Sequence, residues 1–305
     1  MNYYIYGYTD KGNYREHNED SILVNHDVSQ GGKLESTVAA PFLSAVCDGV
    51  GGEQAGEIAS KLCLQHLAIL DYDSTVDLKS TLMNVHESIK KRGLAHAESE
   101  NMQTTLCCLA VDENKKLTCV NVGDSRMYRY VNGCVRQISV DQTYGQFLYD
   151  QGEINDMDEL EPQMKSAIVS SMGSVMQEPK IDFIPFVSAF GTENDDMVLI
   201  CSDGVSDFVT NEEIEVALSL DIALSEKIES ICELALKNGS TDNVSAIGIK
   251  SYETDEELQN IIKNYEVIRP VEEESEIEIA VEEKEMAEQS IAKLEEFITE
   301  LDQDV

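Results

Sequence analysis

The feature that most constrains this chain is a pattern that occurs twice, in which a short apolar run ends in an aspartate and glycine follows at once. It is found at residues 45–52, "AVCDGVGG", and at residues 199–207, "LICSDGVSD". The apolar runs predict buried strands, and the Asp-Gly pairs predict tight turns at their ends. A carboxylate at a strand edge also suits a metal ligand. One turn by itself does not decide between these interpretations.

Helical periodicity follows the first of these turns. From Gln54, apolar residues recur at a spacing that predicts a helix, and further helices are predicted at residues 76–97 and about 224–236. Thr210 and Glu213 fit a capping box. The apolar positions of the first helix are Ile58, Leu62, Cys63, Leu67 and Leu70.

Strand signals fill most of the remaining chain up to residue 252. Residues 104–139 predict a meander, with turns at Glu113-Asn114 and Asn132-Gly133. Residues 141–180 are less regular. Because the helices are grouped between strands of antiparallel type, the order of elements favours an α+β layered sandwich over a doubly wound parallel sheet.

Composition excludes some classes of function. The chain has 305 residues, enough for one large domain or two ordinary ones, and 42% of them are hydrophobic. Its formal net charge is -37, with 22 Lys and Arg against 59 Asp and Glu. This charge argues against nucleic acid and against anionic lipid as general partners. Most surface carboxylates serve solubility, but carboxylates are also the ligands that hard divalent cations prefer.

Cysteine usage and hydropathy favour a cytoplasmic protein. None of the eight cysteines falls in a C-x-x-C pair, and Cys47, Cys119 and Cys201 sit in apolar runs. We therefore expect small buried thiols in a reducing compartment rather than disulfides or zinc ligands. The first residues do not form a secretory signal, and no apolar run approaches the roughly 20 residues of a membrane span.

The composition changes after Tyr252. Residues 253–305 carry 19 acidic and 4 basic residues, a net charge of 4 − 19 = −15, and we expect them to form an acidic, partly helical tail. An apolar seam about two heptads long runs through it, which is short for a coiled coil. A terminal helix on its own domain and a helix for a partner or a second copy remain equally open. The seam residues are Ala287, Ile291, Leu294, Ile298 and Leu301.

Aspartates beside glycine or polar residues recur in a fixed order, and each could be a simple turn residue. The segments are "REHNEDS" (15–21), "CDGVGG" (47–52), "GDSR" (123–126), "SDGVSD" (202–207) and "STDNVS" (240–245). Together with "TTLCCLAV", "VGDSRMYRY" and "GSTDNVSAI", they resemble the PPM-type metal-dependent protein serine/threonine phosphatases, the protein phosphatase 2C family. The resemblance spans about residues 3–250 and leaves out the tail.

The resemblance implies a fold and a chemistry. The expected fold is a four-layer α-β-β-α sandwich of two mainly antiparallel sheets flanked by helices, in a phosphatase domain at residues 1–252. The expected cofactors are two Mg²⁺ or Mn²⁺ ions, with a third in many members. A hydroxide that bridges the two ions would attack the phosphorus of phosphoserine or phosphothreonine directly, so no phosphoenzyme intermediate would form.

The same resemblance assigns roles to individual residues. Asp48 corresponds to the carboxylate that bridges both metals, and the Gly49 carbonyl is a further ligand. Asp203 and Asp242 complete the binuclear centre. Arg15 corresponds to the arginine that binds the substrate phosphate, a task that suits a guanidinium fork. Four acids have outer roles: Asp20 and Glu19 would hold metal-bound water, and Asp124 and Asp207 would bind the third metal with Asp203. The amide of Asn243 would support the loop of Asp242.

The alternatives for these residues are structural. The aspartates could be turn or cap residues, and Arg15 could be a surface salt-bridge former. His17 lies beside the first motif, but the family motif has no histidine there, so we interpret it as a solvated loop residue.

Two departures from the family pattern bear on the mechanism. Val50 stands where many eukaryotic members have a histidine thought to protonate the leaving group, and valine cannot donate a proton. Bacterial members commonly have an apolar residue here, so Val50 indicates a bacterial-type enzyme. Residues 141–143, "DQT", replace an Asp-His-Ser-like triplet at the start of the flap, which we place at about residues 141–180. We expect this flap to shape substrate choice.

Two functions compete. The first is an active cytoplasmic phosphatase that acts on a phosphorylated protein and opposes a serine/threonine kinase. The second is a catalytically silent, PPM-like module that holds a partner through the fold and the acidic tail. A silent relative would be expected to lack a metal ligand. All four of Asp20, Asp48, Asp203 and Asp242 are present, which favours the active enzyme.

Overall fold

Two six-stranded antiparallel sheets lie at the centre of the structure, a computed structural model that describes residues 1–51, 55–95, 101–188, 190–191 and 195–262. The apolar seam predicted at residues 287–301 falls outside these ranges. From edge to edge, the first sheet contains β11 (Cys134–Gln137), β10 (Arg126–Val131), β13 (Met197–Cys201), β14 (Val244–Tyr252), β1 (Asn2–Asp10) and β4 (Gly32–Val38). The second contains β12 (Asp182–Pro185), β9 (Leu117–Val122), β8 (Leu106–Val111), β5 (Phe42–Cys47), β2 (Ser21–Val24) and β3 (Asp27–Ser29). A short separate pair consists of β6 (Gly49–Val50) and β7 (Gln103–Thr104).

Helices cover the outer face of each sheet. The second sheet packs on α1 (Ala55–Ala68) and α2 (Leu78–Ala95). On the side of the first sheet lie α5 (Asp203–Ser206), α6 (Asn211–Ser219), α7 (Leu224–Lys237) and α8 (Asp255–Ile262). Residues 141–180, the predicted flap, contain α3 (Tyr144–Asp150), a 3₁₀ turn (Met157–Glu159) and α4 (Pro162–Lys165). The α+β, four-layer sandwich expected from the sequence is therefore confirmed.

Three apolar clusters hold the layers together, one between the sheets and one under each helical layer. Strand β1 contributes to two of them, because successive side chains of a strand point to opposite faces. Tyr3 and Ile5 lie between the sheets, whereas Tyr4 and Tyr6 lie under the helices of the first sheet. Both faces of β1 are covered, which accounts for its apolar residues at consecutive positions.

Local predictions compare well with the observed elements. Thr210 Oγ1 accepts from the Glu213 amide at 3.2 Å, and Glu213 Oε2 accepts from the Thr210 amide at 2.7 Å, which confirms the capping box. Asn132 and Gly133 have φ of 53° and 75°, as a tight hairpin turn requires. The first helix ends at Ala68, so the helical spacing that included Leu70 was extended too far. Leu70 packs beside the same cluster from the following turn.

The cysteines are unpaired, as the sequence predicts. All eight are free thiols and all except Cys134 are buried. Burial raises the pKa of the Cys47 thiol well above its usual range, which keeps it protonated and unreactive. Among the described residues, no helix combines the length and apolar character that a membrane crossing requires.

Candidate metal centre

The predicted acids gather at one end of the sandwich because of how the strands are paired. Asp48 directly follows β5, and Asp20 directly precedes β2, whose first residue, Ser21, pairs with Cys47. In the other sheet, Asp203 follows β13, and Asp242 lies just before β14, its antiparallel neighbour. In antiparallel strands the end of one strand lies beside the start of the next. Each sheet therefore brings two of the aspartates together at one end of its strands.

Hydrogen bonds between the two sheets join these strand ends. The Ser202 hydroxyl, at the end of β13, donates to Asp20 Oδ2 at 2.8 Å. Asp20 is 1% exposed, and burial raises its pKa to about 7, although hydrogen bonds from Ser245 and Ser202 oppose this rise. Asp20 is therefore buried near Asp203, whose charge also raises its pKa, and it is not among the residues that line the acidic cleft described below. No role was predicted for Ser202 or Ser245, because nothing in the sequence distinguishes either from other serines at the end of a strand.

The backbone of Asp48 is held by two threonines. Its carbonyl accepts from the Thr105 amide and the Thr104 hydroxyl, both at 2.8 Å, and its amide donates to Thr105 Oγ1 at 2.9 Å. This arrangement fixes the main chain and leaves the carboxyl directed into the cleft. The motif "TTLCCLAV" contributed to the family resemblance, but no role was predicted for Thr104 or Thr105. Their position directly before β8 was the available signal.

Gly49 is required for a reason stronger than its backbone freedom. A Cβ at Gly49 would lie 2.2 Å from the Gly56 carbonyl oxygen, and a Cβ at Gly56 would lie 2.6 Å from the Gly49 carbonyl oxygen. The carboxylate of Glu19 approaches the same place, since its Oε2 would be 2.8 Å from that added carbon at Gly56. The missing side chains therefore leave a cradle between the Gly49 carbonyl and Glu19.

A cleft of about 570 Å³ contains the predicted inner ligands. It is lined by acids, by the half-exposed Arg15 and by the flap residue Ile168, which the sequence did not indicate. Val50 also lines it and is 41% exposed. His17 is exposed at its rim, as expected for a solvated residue. The predicted residues that share this cleft are Arg15, Glu19, Asp48, Gly49, Asp203 and Asp242.

The outer pair of acids lies in an adjacent cleft of about 690 Å³, next to the flap. Asp124 is 6% exposed, and burial together with the nearby carboxylate of Asp203 raises its pKa well above the usual range. Asp207 follows α5, and Arg126 Nη2 lies 3.6 Å from its Oδ1. Burial raises the pKa of Asp207, with Arg126 acting in the opposite direction.

The inner carboxylates repel one another. Burial, followed by the charges of Asp203 and Asp20, raises the pKa of Asp48 well above its usual range. Burial raises the pKa of Asp203 to about 6, against a hydrogen bond to Asp48 that lowers it. Two buried oxygens, Oδ1 of Asp203 and Oδ1 of Asp124, have no hydrogen-bond partner among the described residues. Orphaned buried carboxylate oxygens of this kind suit cations as partners.

Asp242 has a different partner. Arg15 Nη2 lies 2.6 Å from its Oδ2, and the Asn243 amide donates to its Oδ1 at 2.8 Å. In this arrangement, no three His, Cys, Asp or Glu side chains of the described segments surround a common point closely enough to form a metal-ligand cluster. The acids share a cleft, but Asp242 would have to exchange Arg15 for a metal.

Asn243 holds the loop that carries Arg15. Its side-chain nitrogen donates to the carbonyls of Lys11 and His17, both at 3.0 Å, and its Oδ1 accepts from the Glu19 amide at 2.9 Å. Asn243 is 4% exposed. The support predicted for the Asp242 loop therefore reaches further than expected, because the same amide also positions residues 11–19.

The two stacked sheets, their helical layers and the acidic cleft at one edge correspond to the class of metal-dependent protein phosphatases. The family model for protein phosphatase 2C matches residues 16–244. The chain belongs to this family.

Known relatives agree with this assignment. The serine/threonine phosphatase stp of Listeria innocua is 31% identical over 248 residues, which cover 78% of this chain and 92% of that protein. The protein phosphatase PhpP of Streptococcus pneumoniae is 28% identical, over 82% of this chain and 98% of its own. The chain is a protein serine/threonine phosphatase of bacterial type.

Solved structures agree on the fold. The serine/threonine phosphatase PstP of Mycobacterium tuberculosis superposes with a TM-score of 0.69 at 30% identity, over 83% of this chain and all of that one. A structure of the PstP catalytic domain in complex with two manganese ions has a TM-score of 0.65, also at 30% identity, with the same coverage of 83% of this chain and 100% of that one.

Proposed function

We propose that this protein removes phosphate from phosphoserine and phosphothreonine with two divalent cations, Mg²⁺ or Mn²⁺, and without a phosphoenzyme intermediate. The observation that carries this proposal is the pair of orphaned, buried carboxylate oxygens on Asp203 and Asp124, in clefts rich in acids. Phosphoprotein substrates follow from the family. The finer mechanism is supported by the donor set, which consists of hard oxygen ligands suited to Mg²⁺ and Mn²⁺.

The residues would divide the work as follows. Asp48 would bridge the two cations, with the Gly49 carbonyl, Asp203 and Asp242 as further ligands. Asp20 and Glu19 would hold water on the cations, and the hydrogen bond from the Ser202 hydroxyl to Asp20 supports this role for Asp20. Asp124 and Asp207, with Asp203, would bind a third and weaker cation. The raised pKa values of Asp48 and Asp124 support this assignment, since their mutual repulsion would be relieved by bound cations.

The bound cations would lower the pKa of a shared water so that hydroxide is available near neutral pH, and would offset the charge of the phosphoryl group. The chain's own residues bind and orient the substrate. The Arg15 guanidinium, half exposed at the cleft, can turn from Asp242 to the phosphate oxygens and make two parallel hydrogen bonds. Val50 cannot donate a proton, so the leaving oxygen would take its proton from water at the metal site or from solvent.

No side-chain nucleophile is required by this scheme. Cys47, the residue before Asp48, is fully buried in the core, and its thiol is protonated as described above. Among the described residues, the cleft is lined by carboxylates, glycines, Tyr14, Arg15, His17, Val50 and Ile168, and by no serine, threonine or cysteine. These groups support direct attack by water-derived hydroxide rather than transfer of the phosphoryl group to the chain.

We propose, as before, that residues 1–252 form the phosphatase domain and residues 253–305 an acidic tail, with the flap at about residues 141–180. A cytoplasmic location, a link to a serine/threonine kinase and a partner helix for the tail remain parts of this proposal. The apolar seam of the tail lies outside the described residues, and binding experiments with the full chain test its role.

The test is hydrolysis of p-nitrophenyl phosphate and of a phosphothreonine peptide by the purified full chain, with Mn²⁺ or Mg²⁺ added and with EDTA. Activity is expected only with metal. Asp48→Asn and Asp242→Asn should each reduce turnover by more than about 100-fold, since loss of a ligand exceeds the effect of losing an outer partner. Asp27→Asn, an exposed aspartate of β3, is the matched control. Full turnover in EDTA, or in either ligand variant, would refute the two-metal mechanism.

A further inference from the structure

Arg126 connects the flap to the helix of the metal centre. It lies at the start of β10, two residues after Asp124. Its Nε and Nη2 donate to the carboxylate of Asp141, at 3.0 and 2.8 Å to Oδ2, and its Nη1 donates to the Ser206 carbonyl at 3.0 Å. Asp141 is the first residue of the flap, and Ser206 ends α5, the helix that begins with Asp203. One guanidinium therefore contacts both the flap and that helix.

The next flap residue is anchored just as closely. Gln142 is 4% exposed, and its side-chain Oε1 accepts from the Gly123 backbone amide at 3.0 Å. The backbone amide of Gln142 donates to the Gly123 carbonyl, also at 3.0 Å. Its side-chain nitrogen lies within hydrogen-bond distance of the Lys180 carbonyl, at 3.0 Å, and of Asp182 Oδ2, at 2.9 Å. Gln142 thus joins the beginning of the flap to its end, and both to the turn that carries Asp124.

The C-terminal part of the flap is hydrogen-bonded to the segment that holds Asp48. Thr104 and Met172 exchange backbone hydrogen bonds at 3.1 and 2.8 Å, and Thr104 also holds the carbonyl of Asp48. Ile168, between these anchors, lines the catalytic cleft. The flap is therefore fastened to Asp48 at one end and to α5 at the other, while its middle faces the place where substrate would bind.

We propose that Arg126, Asp141 and Gln142, here called the flap clasp, form a positioning device that couples the placement of the flap to the placement of the Asp203 and Asp207 carboxylates. This inference rests on the proposed function of the cleft. Arg126 is suited to the task because its planar fork fixes direction as well as distance, which a lysine cannot do. Breaking the clasp weakens metal binding and peptide binding together, because both depend on the same junction.

The chain contains a matched control for this junction. Arg129, three residues further along β10, makes the same forked ion pair with Asp196, at 2.8 and 2.6 Å. This pair is more deeply buried than the clasp pair, with side chains 10% and 0% exposed against 23% and 16%. It packs near Phe186 and Phe190 and lines neither of the two clefts at the site. Its loss should lower stability without reaching the metal centre.

The experiment compares Asp141→Asn with Asp196→Asn in the full chain, and Arg126→Lys serves as a second clasp variant. Three quantities are measured: the Kd for Mn²⁺ by calorimetry, kcat and KM for a phosphothreonine peptide, and amide hydrogen exchange of residues 142–172 in EDTA. The clasp variants should raise the Kd for Mn²⁺ by about 10-fold or more, raise the peptide KM, and accelerate exchange in the flap. Asp196→Asn should lower the melting temperature but change none of these.

Two results would overturn the proposal: a Kd and a peptide KM in both clasp variants that match those of the unaltered protein, or equal changes in Asp196→Asn. Calorimetry and hydrogen exchange do not require turnover. If the unaltered protein binds Mn²⁺ and the clasp variants loosen the flap, but no variant hydrolyses phosphopeptide, the proposed function fails while the coupling stands. If turnover is normal and the flap exchange is unchanged in the clasp variants, the coupling fails alone.

Discussion

The buried aspartates of the site make the folding stability of the protein depend on pH in a predictable direction. Burial raises the pKa of Asp20 to about 7 and that of Asp203 to about 6, whereas an unfolded aspartate has a pKa of roughly 3.9. The folded protein therefore binds protons that the unfolded chain releases. For these groups, stability is present at low pH and is lost as the pH rises from about 4 through about 7.

Denaturant unfolding in EDTA should accordingly give a larger free energy of unfolding near pH 5 than near pH 8. Saturating Mn²⁺ should remove much of this difference, because ligands bind metal in their deprotonated form. Other carboxylates of this acidic chain also contribute, so the comparison needs variants. Asp203→Asn should flatten the pH dependence and Asp27→Asn should not. If the free energy of unfolding changed with pH equally in Asp203→Asn and in the unaltered protein, Asp203 would not be a source of the pH dependence.

Arg15 forms an ion pair with Asp242, and in the proposed mechanism it binds the substrate phosphate instead. A charge-assisted hydrogen bond contributes about 1.5–3 kcal/mol, so Arg15→Ala should raise the KM for a phosphothreonine peptide by about 10- to 100-fold. The Kd for Mn²⁺ should stay the same or fall, since Asp242 loses its competing partner. Lys11→Ala removes a positive charge from the same loop and is the control. Weaker Mn²⁺ binding with an unchanged KM would show that Arg15 serves the acids rather than the substrate.

Among the helices that cover the first sheet, α6 is stabilised by its N-terminal cap as well as by the burial of its apolar face. Helix α6 begins with the capping box of Thr210 and Glu213 and buries Ile214 and Ala217 completely. The cap satisfies amides that the helix itself leaves unpaired. It therefore stabilises the helix without any contact with the cleft.

Thr210→Ala should lower the free energy of unfolding by about 1 kcal/mol, and Thr210→Ser should restore most of it. For a domain of this size the melting temperature should fall by about 2–4 °C. The values of kcat and KM should not change, since Thr210 does not line the catalytic cleft. Thermal unfolding of the three proteins in the presence of Mn²⁺ provides the measurement. A loss of activity larger than the loss of stability would indicate that α6 acts on the site.

At the scale of the whole molecule, the boundary between domain and tail can be located more closely. The composition changes after Tyr252, yet α8 follows it, and its Ile261 is 7% exposed within the cluster beneath the helices. Leu258 and Ile262 pack against the same cluster. The first turns after the boundary therefore contribute to the core.

Deletion of residues 263–305 should leave turnover of p-nitrophenyl phosphate and the melting temperature nearly unchanged. Deletion of residues 253–305 should also leave turnover per folded molecule unchanged, but should cost about 1.5–3 kcal/mol or more of stability, because a buried isoleucine is lost. Thermal unfolding and activity of both truncated proteins separate these cases. Equal stability of the two would show that α8 adds nothing to the core.

Most of the strands, the main helices and the Asn132-Gly133 turn could be predicted from the sequence alone, whereas β3, β4 and β12 were not predicted. The predicted elements depend on local periodicity, turn chemistry and capping, which neighbouring residues specify. Asp20, Asp48, Asp203 and Asp242 could be selected because the ordered motifs that contain them resemble the PPM-type phosphatases, since a position at the end of a strand is also explained by a turn. The glycine at position 49 could be seen, but its reason could not, because that reason is the backbone of Gly56 packed against it.

Which acids share a cleft, and what holds them there, could be seen only in the folded protein. The stacking of two sheets sets Asp20 against Ser202, and strand pairing places Thr104 and Thr105 on the backbone of Asp48. It also brings Arg126, an ordinary arginine in the sequence, between the flap and α5. These contacts join residues far apart in the chain. Their formation depends on how whole layers pack, and no local pattern encodes that packing.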